Sequence, residues 1–397
     1  MDKGTSIALA EDGAILLAGF TNSGGLGGYD GWLVKTTAEG GVLWEKFFGG
    51  IGWDFLYDIE PVDDGGWLLS GCTYSAGEGG ADGWAIRVNM DGDVIWDRTF
   101  GGATEDELRS AKQTDDSGFI LAGTSAMGDT SDAWVIRLDP DAELVWERHF
   151  GGDSADSAMD IIQTIDGGFS AVGSTKSFSI WTEHLHFKLS GTGDSLWTRN
   201  FGQINDQEAM EHVELMSGRF ATVGYTKTSG GGGKDLFALL SESDGSFVVQ
   251  HTYGFIEDEI GYSIARTEDG FVVCGTTTSL PTAGGVDVYV ARCDSVVDTA
   301  TELVTPFFDP TYVRQVAGGN TSIALSPNPA IDRISLSATF SLDYAHLVDA
   351  QGRLAREWHF PVPRELDLHG LAAGTYQLVT WNEAGARTSQ PLIIAAP

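Results

Sequence analysis

Fifty-seven aspartates and glutamates stand against 23 lysines and arginines in this chain of 397 residues, so carboxylate and cation chemistry come first among the reactions to look for. Six aspartates recur about every fifty residues: Asp2, Asp54, Asp106, Asp156, Asp206 and Asp258. A catalytic residue need not be copied into every repeat, so the recurrence argues for a structural job, with each carboxylate capping backbone N–H groups. The alternative is calcium or another cation held by Asp54, Asp106, Asp156, Asp206 and Asp258; no other cofactor is expected. Glycoside hydrolysis needs only two carboxylates at a suitable separation, and so many acids keep that reaction open. His184 and His186 stand beside Glu183, and strand alternation would put both imidazoles on one face, a geometry that can hold a metal. No third ligand is identifiable, so a divergent strand with solvent-facing histidines is the expected reading. The serines and remaining histidines form no nucleophile motif, and the glycine run Gly230 to Gly233 lacks the Lys-Ser/Thr of a phosphate loop. No catalytic residue is assigned.

A formal charge of −34 repels phosphate backbones and anionic lipid, so nucleic acid and membrane surfaces are not expected partners. The acidity fits either a protein kept soluble in salty water or a plain solvated surface. No apolar run approaches the roughly 18 residues of a membrane helix, and Met1-Asp2-Lys3-Gly4 has no signal-peptide core. Cys72, Cys274 and Cys293 allow one disulfide at most; Cys72 and Cys274 lie in strand-like apolar runs and read as buried small hydrophobes.

The elements that must position these residues announce themselves by repetition. Trp44, Trp96, Trp146 and Trp197 recur at steps of 52, 50 and 51 residues. Asp30, Asp82, Asp132, Glu183, Asp235 and Asp287 keep the same step, and all but Glu183 open an acid-x-aromatic pattern such as Asp82-Gly83-Trp84. A basic residue follows three places later in Lys35, Arg87, Arg137, Lys188 and Arg292. Within each repeat, short runs rich in β-branched and aromatic residues alternate with turns such as Asp64-Gly65-Gly66 and Asp166-Gly167-Gly168, where glycine supplies a positive φ. Four antiparallel strands per repeat result, and each unit leaves hydrophobic faces that only a neighbour can cover. The expectation is all-β: a six-bladed β-propeller of four-stranded blades over residues 1–308, with blades starting near 2, 54, 106, 156, 206 and 258.

Asp2 is already in register and no tryptophan strand precedes it, while the sixth repeat loses its pattern after Arg292-Cys293-Asp294. Propellers often close with an outer strand borrowed from the opposite terminus. A strand upstream of Met1 is therefore one expectation, with an earlier natural start, a signal peptide and a seventh blade; a degenerate outer strand at 301–308 is the other. The repeat Phe-Gly-Gly…Asp…Asp-Gly-Gly-Phe…Gly-Thr…Asp-x-Trp resembles the seven-bladed-type propeller repeats of secreted bacterial proteins. That resemblance speaks to architecture and not to ligand.

In up-and-down blades the connections between blades and the loops between second and third strands emerge on one face. Those loops vary most: Asn22 to Tyr29, Thr73 to Ala81, Thr124 to Ser131, Ser174 to Thr182, Thr226 to Lys234 and Thr276 to Val286. Variable loops on a rigid scaffold are where binding usually lives. Tyr29, Tyr74, Phe178, Trp181 and Tyr225 lie in or beside them, and Trp53 sits in a connection between blades. These aromatics could stack on sugar rings or pack on a protein partner. The cation alternative would place the repeating aspartates at the channel mouth.

Beyond a turn-rich linker at 309–324 a new pattern occupies 325–397 and reads as a small immunoglobulin-like β-sandwich. Ser326-Pro327-Asn328-Pro329, then Asp349 with Gly352 and Arg353, then Leu371-Ala372-Ala373-Gly374-Thr375-Tyr376 resembles the C-terminal sorting domain of type IX secretion substrates (type A, Por-type). In that family the tail is read by an outer-membrane translocon. The basic residue frequent near the end of such tails is missing from Gln390-Pro391-Leu392-Ile393-Ile394. What the resemblance implies is export to the medium or outer cell surface, with the type IX machinery as partner. The expected function is a non-catalytic binding or adhesion module for a glycan or protein ligand. A polysaccharide hydrolase or lyase and a structural surface-layer protein are the rivals.

Overall fold

The computed structural model describes residues 1–10, 12–202, 205–228, 233–253, 257–268, 270–278, 286–294, 323–326, 330–338, 344–349, 354–359, 362–381 and 387–395. Every repeat becomes an antiparallel sheet whose strands follow chain order. The first blade is β1 (Asp2–Leu9), β2 (Ile15–Thr21), β3 (Asp30–Thr36) and β4 (Val42–Phe48). The second is β5 (Asp54–Pro61), β6 (Trp67–Thr73), β7 (Asp82–Val88) and β8 (Val94–Phe100), and the third β9 (Asp106–Gln113), β10 (Phe119–Met127), β11 (Thr130–Leu138) and β12 (Leu144–Phe150). The fourth is β13 (Asp156–Gln163), β14 (Phe169–Thr175), β15 (Glu183–Leu189) and β16 (Ser195–Phe201). The fifth is β17 (Gln207–Glu214), β18 (Phe220–Thr226), β19 (Asp235–Ser241) and β20 (Phe247–Tyr253). The sixth repeat supplies β21 (Glu259–Arg266), β22 (Gly270–Thr277) and β23 (Asp287–Asp294) among the described residues. The fold is all-β, and its repeat architecture is that of a six-bladed β-propeller. The linker expected at 309–324 and the outer strand expected at 301–308 lie outside the described residues, apart from the first residues of β24 below.

Two compact units are present, Met1–Arg266 and Thr267–Pro397. In the first, burial follows from position within a blade. Every residue of β6, β7, β15, β18 and β19 is buried, because the middle strands are covered on both faces, whereas outer strands such as β8 are largely exposed. The repeating tryptophan of each outer strand packs edge-on against the first aromatic of the next blade's second strand. Trp44–Trp67, Trp96–Phe119, Trp146–Phe169 and Trp197–Phe220 have ring centroids 6.5, 5.4, 6.0 and 6.2 Å apart. Such pairs contribute about 0.5–1.5 kcal/mol beyond area burial. Gly92 allows that approach: its φ is +76°, and a Cβ there would meet the Trp44 ring at 2.8 Å.

The repeating basic residue is a clip within its own blade. Lys35, Arg137 and Lys188 are buried and reach the first-turn acids Asp12, Asp116 and Asp166 at 3.2, 2.5 and 2.6 Å, and Arg87 pairs with Asp64 in the same way. Deeper in, the innermost strands bulge between Gly4 and Ser6, Leu56 and Asp58, Ala158 and Asp160, and Ala209 and Glu211. A polar residue at each bulge bonds to the next blade. Ser6 donates to Asp58 (2.9 Å), Ala111 N to Asp58 (3.3 Å), His212 N to Asp160 (3.1 Å) and Ile264 N to Glu211 (2.8 Å).

Three cysteines are free; Cys72 and Cys293 are buried, but Cys274 is exposed on β22, against the expectation of a buried hydrophobe. The loop expected from Thr124 to Ser131 is mostly strand, because β10 and β11 pair out to Met127 and Thr130. No helix among the described residues is long and apolar enough to cross a membrane.

In the second unit, β24 (Ile323–Ser326), β25 (Arg333–Ala338) and β28 (Glu365–Asp367) form one sheet. The other contains β26 (Tyr344–Asp349), β27 (Leu354–His359), β29 (Gly374–Trp381) and β30 (Arg387–Ile394) in the order β27-β26-β29-β30. Ile334, Leu336, Leu366, Leu347, Leu378 and Leu392 from the two sheets share one core, as in a β-sandwich. Gly374 opens β29, and Tyr376 is buried with its hydroxyl donating to Ala372 O at 2.9 Å, the arrangement of a tyrosine corner. Asp349 ends β26; Pro327, Asn328, Pro329, Gly352 and Arg353 lie outside the described residues.

Candidate ligand-binding site

The connection from the first blade to the second runs between two loops and is bonded to both. Gly28 N donates to Gly52 O (3.0 Å), Asp54 N to Tyr29 O (2.8 Å) and Tyr74 N to Trp53 O (2.9 Å). Asp54, fully buried, holds the connection and the second-blade loop together: its Oδ2 accepts from Gly50 N (2.8 Å) and Ser75 Oγ (2.7 Å), and its Oδ1 accepts from Thr73. Gly28 carries no side chain because the Trp53 indole lies there; a Cβ would fall 2.3 Å from its Nε1.

This backbone lattice aligns three of the expected aromatics. Tyr29 and Trp53 have ring centroids 5.9 Å apart, and Trp53 and Tyr74 6.5 Å, both pairs edge to face. Trp53 is 56% exposed and Tyr74 44%, so their rings remain open to a ligand. Beside Tyr74 lies an open cavity of about 340 Å³ whose lining includes Phe55, Tyr57, Tyr74, Glu105, Asp106 and Glu107, and the extended β10–β11 hairpin contributes its far wall. That volume falls at the lower end of small-molecule sites, about 300–1,000 Å³. The Tyr74 hydroxyl donates to Glu105 Oε2 at 2.6 Å; this hydrogen bond, then burial, pushes the tyrosine up to about 12.

The other candidates separate from this row. Phe178 is exposed and lines a smaller cavity of about 240 Å³ with His149, Phe150 and Thr198. Trp181 is exposed in the fourth blade's loop, at 38%, with its backbone N–H on Ser179 Oγ at 3.0 Å. Tyr225 does not offer a stacking face: it belongs to β18, is 5% exposed, and carries the Lys234 ammonium 3.9 Å from its ring centroid.

The repeating aspartates take donors from the chain itself. Asp106 accepts from Gly102 N (2.9 Å) and Ala126 N (3.1 Å), and Asp156 from Gly152 N (2.9 Å) and Ser177 Oγ (2.6 Å). Asp206 pairs with Lys227 at 2.9 Å, and Asp258 accepts from Lys234 N at 2.8 Å. Asp206 and Asp258 stand one residue before their strands, so the structural equivalents of Asp54 are Gln207 and Glu259, both buried. Among the described residues no three His, Cys, Asp or Glu side chains converge as a ligand set for a metal.

His184 and His186 are not solvent-facing. They lie on β15, which packs against the third blade on one side and the fifth on the other, and both are fully buried. His184 packs on Phe201 and Phe237 at 5.0 and 5.8 Å. Burial, then the nearby His212, holds His184 down to about 3 and His186 well below its usual range. Around them is a constellation no sequence motif indicated. His212 Nδ1 is 2.7 Å from Asp160 Oδ2, its Nε2 is 3.0 Å from Ser170 Oγ, and Ser170 Oγ is 2.8 Å from His186 Nε2. Ser110 Oγ donates to Asp160 Oδ1 at 2.9 Å. The order carboxylate, imidazole, hydroxyl is that of a hydrolase triad, but Ser170 and His186 are 0% exposed, His212 1% and Asp160 4%. The recurring polar column Ser6, Asp58, Ser110, Asp160, Glu211 marks Asp160 and Ser110 in the sequence, but nothing local marks His212, Ser170 or His186 as their partners.

The repeat architecture is that of a six-bladed β-propeller, and its candidate site is the aromatic row with the acidic cavity beside it. No family model matches the chain, and no curated protein matches it. Solved structures similar to it include PorZ, a bacterial surface component of the type IX secretion system of Porphyromonas gingivalis, at 11% identity over 98% of this chain and 59% of that one, with a TM-score of 0.47. The extracellular domain of BT4673 from B. thetaiotaomicron is 10% identical over 100% of this chain and 56% of that one, with a TM-score of 0.45. The periplasmic gluconolactonase PpgL of Pseudomonas aeruginosa is 11% identical over 99% and 89%, with a TM-score of 0.44. The chain spans somewhat over half the length of the first two.

Proposed function

We propose that this protein is a non-catalytic binding module of the cell surface or medium, and that it holds a glycan along the row Tyr29, Trp53 and Tyr74. The row carries the reading: rings from two loops and the connection between them are fixed by backbone hydrogen bonds, yet two remain about half exposed. A core aromatic is fixed and covered, and a free surface aromatic is exposed and mobile; a stacking platform is fixed and exposed. Export rests on the likeness of the tail to type IX sorting domains, with Tyr376 and Gly374 as its described structural elements.

Glycan-array binding of the full chain, compared with Trp53→Ala and Tyr74→Ala, tests the site. Each substitution should weaken binding at least about tenfold, as removal of an interface aromatic commonly does, while the unfolding midpoint stays near that of the parent. Equal binding by all three proteins would reject the row. For export, deleting residues 326–397 from a chain carrying a signal peptide should leave the product in the periplasm, and surface delivery without them would remove the tail's role.

A further inference from the structure

We infer that the cavity beside Tyr74 receives a primary ammonium group carried on a sugar ring, so that the ligand is a glycan with free amino groups. This rests on the glycan reading and adds a charge to it. The cavity wall combines three aromatic rings, Phe55, Tyr57 and Tyr74, with three carboxylates, Glu105, Asp106 and Glu107. An aromatic face beside an anion is the environment that stabilises an organic cation, through the ring quadrupole and a charge-assisted hydrogen bond together.

The protein already uses this combination for its own cations. The Arg109 guanidinium lies 4.1 Å from the Tyr57 centroid and forks onto both oxygens of Glu107 at 2.8 Å. The Lys234 ammonium lies 3.9 Å from the centroid of Tyr225, which is itself hydrogen-bonded to the Glu208 carboxylate. Tyr74 and Glu105 present the same pair to the open cavity. Glu105 Oε2 takes the Tyr74 hydroxyl and Ala81 N, while Oε1 accepts no hydrogen bond among the described residues. Arg109 is engaged on Glu107 and Asp106 is buried on Gly102 N and Ala126 N, so the charge facing an incoming group is set by Glu105. A carboxylated or sulfated sugar would be repelled there, and a neutral one would leave Oε1 without a charged donor.

The test compares an oligomer of glucosamine with its fully N-acetylated counterpart, titrated calorimetrically into the full chain at about 0.15 M salt to screen general attraction to an acidic protein. The amine oligomer should bind more tightly, and Glu105→Gln should weaken it about tenfold while leaving the acetylated oligomer unchanged. Glu143→Gln, which neutralises an exposed carboxylate on the opposite face, should change neither. Equal affinity for both oligomers, unaffected by Glu105→Gln, would overturn the ammonium inference and leave the glycan reading standing. Binding of neither oligomer, with no array glycan sensitive to Trp53→Ala, would remove both. Glu105-dependent binding of an oligolysine peptide in place of any sugar would also overturn it, by making the cation a protein's.

Discussion

Between the fourth and fifth blades, a carboxylate, an imidazole and a hydroxyl stand in hydrolytic order, Asp160 to His212 to Ser170, at 2.7 and 3.0 Å. On the loop face of the first two blades, Tyr29, Trp53 and Tyr74 lie at 5.9 and 6.5 Å without any reactive group of comparable reputation. The two regions differ in access. Ser170 has no exposed surface, whereas Trp53 shows more than half of its own. The lesson is that residue type and even hydrogen-bond order do not define a site. In a repeat fold the inner strands must carry polar side chains to satisfy their bulges, and some of these combinations will imitate catalytic ones.

If the buried network is structural, breaking it should cost stability. Asp160 accepts from Ser110 Oγ, His212 N and His212 Nδ1, so Asp160→Ala orphans three buried donors at once. A loss of about 3 kcal/mol is expected, read as a lowered midpoint in urea unfolding. A change below about 0.5 kcal/mol would mean the network is not what joins these blades.

His184 sharpens the same contrast from the other side. Both of its nitrogens are buried without a hydrogen-bond partner among the described residues, so His184→Leu should stabilise the protein by about 1 kcal/mol. Its folded-state proton affinity is depressed, to about 3, against an unfolded value near 6.5, so the unfolded chain binds more protons between those limits. The corresponding stability is complete above about pH 6.5 and is lost progressively as pH falls toward 3. Unfolding midpoints measured from pH 7 to pH 5 should therefore fall in the parent and fall less in His184→Leu. Parallel curves would show that His184 is not among the acid-sensitive groups.

On the open side, Gly28→Ala should do the reverse: little loss of stability, but a displaced Trp53. A Cβ at Gly28 would strike the indole at 2.3 Å and push it toward its solvent-exposed side. Glycan affinity should drop about fivefold with less than about 1 kcal/mol of destabilisation. An unfolding midpoint that fell while binding survived would invert the roles assigned to the two regions.

What was legible in the sequence was what the fold repeats. The Trp44, Trp96, Trp146 and Trp197 column recurs because each of the first four blades meets the next in the same way, as the contacts of Trp44 with Trp67 and of Trp146 with Phe169 show. Trp53 and Tyr74 were legible as candidates because they fall where chain leaves the sheets. Tyr225 misled because it is the strand residue just before its loop, on a second strand whose two faces are both covered. His184 and His186 misled because alternation implies an exposed face only for strands with one, and β15 has neither face free. Asp160, His212 and Ser170 were illegible as a group since each comes from a different strand and no local spacing joins them.

The smallest expected effect is none. A serine-directed phosphonylating probe reacts only with a hydroxyl it can reach in line, and Ser170 Oγ is enclosed by His186 Nε2 and His212 Nε2 with the residue itself fully buried. Intact-mass measurement after exposure to such a probe should show no adduct on the parent, and the same spectrum for Ser170→Ala. An adduct present on the parent and absent from Ser170→Ala would require the blades to part at this seam in the native protein. The difference between the sealed and open regions would then be one of timescale, and the triad would return as a candidate for chemistry.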